Sequence, residues 1–141
     1  MATNQAINGR WNINVPVPSA VTVGQAVMLG QIGTPGCIPG IILALQPLPT
    51  PTSPTTATID TGEDCYFLTV IARSANSPLV NSAIKPGDQL YADAGTYDST
   101  TNIRYAFNLD KNSSGTAFGN ALTAVSSGTT STTCTVRLEG N

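Results

Sequence analysis

The side chains best equipped for chemistry in this chain are carboxylates in two clusters: Asp60, Glu63 and Asp64 in "IDTGEDC", and Asp88, Asp93 and Asp98 in "KPGDQLYADAGTYD". Two carboxylates held close together divide acid and base roles in glycoside hydrolysis, and several can ligate a hard cation. The spacing fits neither use. Side chains alternate between the faces of a strand, so Asp88 and Asp93, of opposite parity, point apart if the strand is regular. "DTGED" lacks the D-x-D-x-D-G oxygen pattern of a calcium loop. Pro86-Gly87 is a turn signal, with proline fixing φ and glycine accepting a positive value. The second cluster therefore reads as a turn, a strand and a turn, with Leu90 and Ala92 on one face and Gln89, Tyr91 and Asp93 on the other.

Histidine is absent, which removes Ser-His-Asp and Cys-His nucleophiles and imidazole metal sites together. "DTG" at 60–62 matches an aspartic protease triplet over three residues only. "GTPG" at 33–36 lacks the G-K-[ST] ending of a phosphate loop, and the glycines of "GTAFGN" precede no helix, so both read as turn or close-approach glycines. Cys37, Cys65 and Cys134 are too far apart for a C-x-x-C site. They are expected to be three small buried hydrophobes in a reducing compartment, with one disulfide plus a free thiol as the alternative. We expect no enzymatic activity, no catalytic residue, no metal and no cofactor.

The elements that carry these residues are strands. At 141 residues the chain has the size of one domain. Helical periodicity is nearly absent because Gly, Pro and Thr interrupt every window. β-rich segments fall at 25–32, 36–45, 56–60, 65–73, 88–93, 102–108, 116–125 and 132–138. In the last, Cys134, Val136 and Leu138 face one side and Thr133, Thr135 and Arg137 the other, and "SSGTTS" before it reads as the loop of an antiparallel hairpin. Short strands joined by Gly-containing turns indicate an all-β, single-domain barrel or sandwich of antiparallel strands over 19–141. Two segments stand apart. Residues 1–18, with prolines at 16 and 18, read as an extended N-terminal arm or an edge strand. The Pro/Thr-rich loop at 46–56 carries four prolines between Pro47 and Pro54, which impose extended geometry.

Charged residues make up 10% of the chain against a usual value of roughly 25%. The surface is therefore polar but mostly neutral. The net charge is -2 and the six basic residues are scattered, so counterion release gives no basis for binding nucleic acid. The longest strongly apolar run, "IILAL", is too short to span a bilayer, and "MATNQAINGR" lacks the regions of a secretory signal. A soluble protein made in the cytoplasm is expected.

Taken in order, "VTVGQAVMLGQI", "CYFLTVIARSANSPLV", "IKPGDQLYAD", "TAFGNALTAV" and "GTTSTTCTVRL" resemble a family of small phage capsid decoration (cement) proteins, over about residues 20–138. The shared pattern is an entering strand after an x-x-G-[DQ] turn, a hydrophobic strand, a G-D-x-[LV]-Y-x-D unit, a strand with an internal glycine and a closing V-R-L. The loop at 46–56 and the Thr/Asn-rich segment at 96–102 depart from it. The resemblance implies a structural virion protein, made in the host cytoplasm, that binds the major capsid protein on the outer surface of a tailed-phage head. It also implies a homotrimer, and no catalytic residue to transfer. Contacts with the capsid or a neighbouring subunit are expected from Trp11, Ile13 and Val15 in the arm and from Pro49, Pro51 and Pro54 in the loop. A second class of function is a carbohydrate-binding β-sandwich in which Tyr91, Tyr97 and Tyr105 stack on sugars.

Overall fold

The computed structural model describes residues 12–30, 37–46, 55–128 and 130–139. Among them the chain forms strands and no helix. In chain order these are β1 (Asn12–Val17), β2 (Ala26–Leu29), β3 (Ile38–Gln46), β4 (Thr55–Asp60), β5 (Cys65–Val70), β6 (Arg73–Asn76) and β7 (Leu79–Asn81). There follow β8 (Gln89–Asp93), β9 (Thr96–Asp98), β10 (Ile103–Tyr105), β11 (Asn108–Asp110), β12 (Thr116–Ala121) and β13 (Thr132–Leu138). They make a six-stranded sheet ordered β1-β4-β3-β2-β10-β9, a five-stranded sheet ordered β11-β8-β12-β13-β5, and the small ribbon β6-β7. The all-β barrel or sandwich expected from the sequence is the architecture found.

The six-stranded sheet begins as a Greek key, with the meander β2-β3-β4 and β1 returning beside β4. Its central strands are apolar on both faces because both are covered. Met28 and Ile41 point into the core shared with the five-stranded sheet, beside Leu90, Phe118 and Leu138. Val27 and Ile42 point the other way, into a second cluster with Val17, Ala57, Ile59 and Ile103. The buried run "PGII" in β3 follows from this two-sided coverage.

β8 and β9 lie in different sheets, yet they form one arm of a single bent hairpin. β8 pairs with β11 in the five-stranded sheet, through Asn108↔Asp93, and β9 pairs with β10 in the six-stranded sheet, through Tyr105↔Thr96. The hairpin crosses between sheets at a corner where Ala94, Gly95 and Ala106 all adopt positive φ, at 61°, 87° and 54°. Such corners are how one strand can serve two sheets. They also explain why the segment at 102–108 is divided: β10 stops at Tyr105, Ala106 turns, and β11 starts at Asn108. Similarly, the segment at 65–73 breaks after Val70, where Ile71 and Ala72 turn the chain into the β6-β7 ribbon. The segment at 116–125 ends at Ala121, and Val125 forms an isolated bridge with Ile84.

The five-stranded sheet curls until its two edges meet. Ile71 N–H donates to Leu109 C=O and Lys111 N–H to Arg73 C=O, both at 2.9 Å. An odd number of antiparallel strands can close only if one pair runs parallel, and this seam is that pair. Within the sheet, Gly119 lies so close to β13 that an added Cβ would collide with the Arg137 carbonyl oxygen, in keeping with a close-approach glycine. At the corner, Gly95 combines positive φ with a space in which a Cβ would stand 2.7 Å from Tyr105 O and 2.8 Å from Phe107 Cβ. Gly95→Ala is therefore expected to lower unfolding free energy by about 1–3 kcal/mol in urea titration, while the exposed Ala94→Gly change leaves stability nearly unaltered or raised.

Candidate functional site

Four of the six candidate carboxylates, Asp60, Asp88, Asp93 and Asp98, hold turns or ion pairs of the fold. The "KPGD" turn is present: Gly87 has φ 94° and Asp88 N–H donates to Lys85 C=O at 3.0 Å. Asp88 accepts from Lys85 N–H at 2.9 Å and pairs with Lys111 Nζ at 2.9 Å. Asp98 closes the β9-β10 loop by accepting from the Thr101 hydroxyl at 2.6 Å and from Thr100 N–H at 3.3 Å. Asp60, buried, accepts from Gly62 N–H at 2.9 Å and from the Tyr66 hydroxyl. As expected from parity, Leu90 and Ala92 are buried while Gln89, Tyr91 and Asp93 lie on the half-covered face.

Asp93 belongs to a buried network that no local pattern announces. Arg73 Nε donates to Asp110 Oδ2 at 2.7 Å, and Arg73 Nη2 lies 3.8 Å from Asp93 Oδ2. Asn112 donates to Asp93 from its side chain at 3.1 Å and to Asp110 from its backbone at 3.0 Å. Two carboxylates thus flank one guanidinium on the seam of the five-stranded sheet. Asp110 and Arg73 are both buried. Among the described residues no group of three or more metal-ligating side chains is assembled.

The cysteines are free thiols, and they differ in setting. Cys134 is buried and Cys37 half-buried, but Cys65 is exposed, so the expectation of three buried hydrophobes fails at Cys65. The cause is its place at the outward-facing start of β5. Burial pushes the Cys37 thiol up, against the opposing charge of Arg104.

Of the contact residues expected from the sequence, Trp11, Pro49, Pro51 and Pro54 lie outside the described residues. Ile13 and Val15 do not project from an arm. Residues 12–17 pair along their whole length with β4, so this part of the segment at 1–18 is an edge strand. Alternation turns Ile13 and Val15 inward, where they pack half-buried on the second cluster. The outward side of β1 carries Asn14 instead, which accepts from the Thr58 hydroxyl at 2.7 Å; Gln46 in turn donates to Thr58 Oγ1 at 3.3 Å. The tyrosines are also partly used. Tyr105 packs on the second cluster, Tyr97 has the Arg104 guanidinium 5.7 Å from its ring centre, and Tyr91 is half-buried.

Part of what stays uncovered is apolar, alongside exposed charges at Glu63, Lys85 and Arg137. Phe67 in β5 is 81% exposed, the most exposed large hydrophobic side chain among the described residues. It pairs across β5 and β13 with Thr135, whose C=O accepts from Leu122 N–H at 2.7 Å. Exposed Leu122, half-buried Thr135 and exposed Phe67 therefore form a row across the outer face, with Thr69 and Thr133 alongside. Sequence reading passed over Phe67 because "CYFLTV" is apolar at both parities, so its pattern does not say which face is outward. The Thr positions of β13, opposite Phe67 and Thr69, carry that information once the register is known.

Two measurements follow. Asp110→Ala strands the Arg73 guanidinium without its nearest counter-charge and is expected to cost about 3–5 kcal/mol in denaturant unfolding, most of it recovered when Arg73→Met is added. Asp88 is held below the usual carboxylate range first by the Lys85 N–H and then by Lys111, and Asp98 first by the Thr101 hydroxyl. Their folded values lie below their unfolded ones, so the stability they contribute is present above about pH 4 and is lost as pH falls through the folded values. Asp88→Asn should lower the melting temperature at pH 7 and flatten its fall below about pH 4. No family model, no curated protein and no solved structure matches this chain.

Proposed function

We propose that this chain is a structural virion protein that binds the outer surface of a tailed-phage capsid and stabilises the head, acting without catalysis or cofactor. The observation that carries this reading is the division of polar groups. Asp60, Asp88, Asp93, Asp98 and Asp110 are spent on turns and buried pairs, while the outer face around Phe67 is apolar at its centre and carries hydroxyl groups at Thr69, Thr133 and Thr135, with exposed Arg137 beside it opposite Cys65. Charge depletion with an aromatic centre is the composition of a surface that another protein covers. The sequence resemblance to decoration proteins points the same way and supplies the major capsid protein as partner and the trimer as the bound unit. On a shell, each contact can be weak, because neighbouring sites hold the protein at high effective concentration.

The test uses phage heads purified with and without the protein. Removal is expected to lower particle mass and the temperature at which heads release DNA, with both restored by adding purified protein. Unchanged mass and unchanged heat resistance would refute the reading. The part assigned to the N-terminal segment is tested separately by deleting residues 2–10, which leaves β1 whole. Loss of head binding at an unchanged melting temperature is expected, and full binding by the truncated protein removes that segment from the contact.

A further inference from the structure

The six-stranded sheet drops in height at one corner of the face that carries the second cluster. Along that face Ile13, Ile59 and Ile42 make a row across β1, β4 and β3, with Ile13 opposite Ile59 and Ile59 opposite Ile42. The next row is nearly bare. β4 ends at Asp60, where the chain turns and Gly62 N–H donates back to the Asp60 carboxylate at 2.9 Å. In β3 the position is a glycine, Gly40, opposite Val27 of β2.

The neighbours of Gly40 lean into the space that a side chain would take. A Cβ at position 40 would stand 2.5 Å from Ile59 Cγ2 and 3.3 Å from Leu29 Cδ1. The result is a low apolar shelf, floored by Gly40, Ile59 and Leu29 and walled by Ile13. Ile59 and Val27 are fully buried, whereas Ile13 and Leu29, at the two margins of the shelf, are half-buried.

Alternation assigns one more residue to this face. In β1, Ile13, Val15 and Val17 face the second cluster while Asn12 and Asn14 face away, so position 11 falls on the side of Ile13. Trp11 lies outside the described residues, but a trans peptide holds its Cα about 3.8 Å from that of Asn12, and Asn12 is paired opposite Asp60. With that anchor and that parity the indole has two choices, the shelf or the solvent beside it.

We infer that the indole of Trp11 lies on this shelf, against Ile13, Ile59 and Leu29, and covers the open end of the second cluster. A flat ring suits a floor where one strand has stopped and the next carries glycine. A side chain of this kind buries roughly 150–250 Å², and moving it out of water onto apolar neighbours is favourable in the free protein, with no partner needed. The contact pins the N-terminal segment to its own domain. It withdraws Trp11 from the surface expected to touch a capsid and leaves that part to the residues before it. The contact holds whether or not the chain binds a head.

Trp11 is the only tryptophan, so fluorescence of the free, full-length protein reports on it directly. Its emission is expected to be blue-shifted and weakly quenched by acrylamide, independent of protein concentration, and to turn red and fully quenchable in urea. In nuclear magnetic resonance the indole protons are expected to give Overhauser contacts to the methyl groups of Ile59 and Leu29. Leu29→Ala is expected to shift the emission to the red and raise the quenching, while Leu45→Ala, which trims the same cluster near the other end of β3, leaves both unchanged. Trp11→Ala is expected to lower the melting temperature by about 5–10 °C. Emission of a fully exposed ring in the folded protein overturns the inference. So does a buried emission that appears only as concentration rises, which assigns the indole to a neighbouring copy, or one that Leu45→Ala moves and Leu29→Ala does not. If Leu29→Ala fails to fold, the Overhauser contacts decide, and their absence overturns the inference. None of these results depends on the outcome with phage heads.

Discussion

Closing five strands that are otherwise antiparallel leaves one seam where neighbours run the same way, and the rest of the five-stranded sheet depends on how that seam is held. Two backbone hydrogen bonds, from Ile71 and Lys111, do part of it. The buried Arg73–Asp110 pair does the rest, with Asp93 and Asn112 completing its surroundings. A buried pair contributes little net stability compared with apolar residues of the same size. Its effect here is positional, because Arg73 starts β6 just where the chain leaves β5, and Asp110 ends β11. Pairing them fixes where the sheet stops curling.

That arrangement bears on function through what it leaves over. Charge is scarce in this chain, and a large share of its carboxylates is drawn into the seam, the "KPGD" turn and the loop closed by Asp98. The outer faces are left mainly to Thr, Asn, Gln and isolated apolar side chains, with a few exposed charges such as Glu63, Lys85 and Arg137. Hydroxyl and amide groups form a lateral chain across β1, β4 and β3, and the row of Leu122, Thr135 and Phe67 runs from just past the end of β12 across β13 to β5. Such faces suit broad, short-range contact with other protein surfaces and offer little long-range steering.

Much of the fold was legible in the sequence because apolar alternation and turn chemistry are local. The strand of Cys134, Val136 and Leu138, the "KPGD" turn and the hairpin of the last two strands each follow from a few neighbouring residues. Less legible were the places where the chain changes sheets. Ala94 and Ala106 adopt positive φ without being glycine, and short strands such as β7, β9 and β11 exist because a partner lies beside them. The candidate site was harder still. Ile13 and Val15 looked available in a proline-flanked segment, but pairing with β4 turned them inward. Phe67 looked like core in an apolar run, and only the register with β13 places it outside. Arg73 and Asp110 lie 37 residues apart in the chain, beyond the reach of any spacing rule.

The bent hairpin from Gln89 to Asp110 has a mechanical consequence. Its near half is built into one sheet and its far half into the other, so neither sheet can be peeled away without also stripping strands from its neighbour. A tug on either layer is shared across the corner at Ala94, Gly95 and Ala106. The domain should therefore yield as one piece under load and not shed its layers in turn.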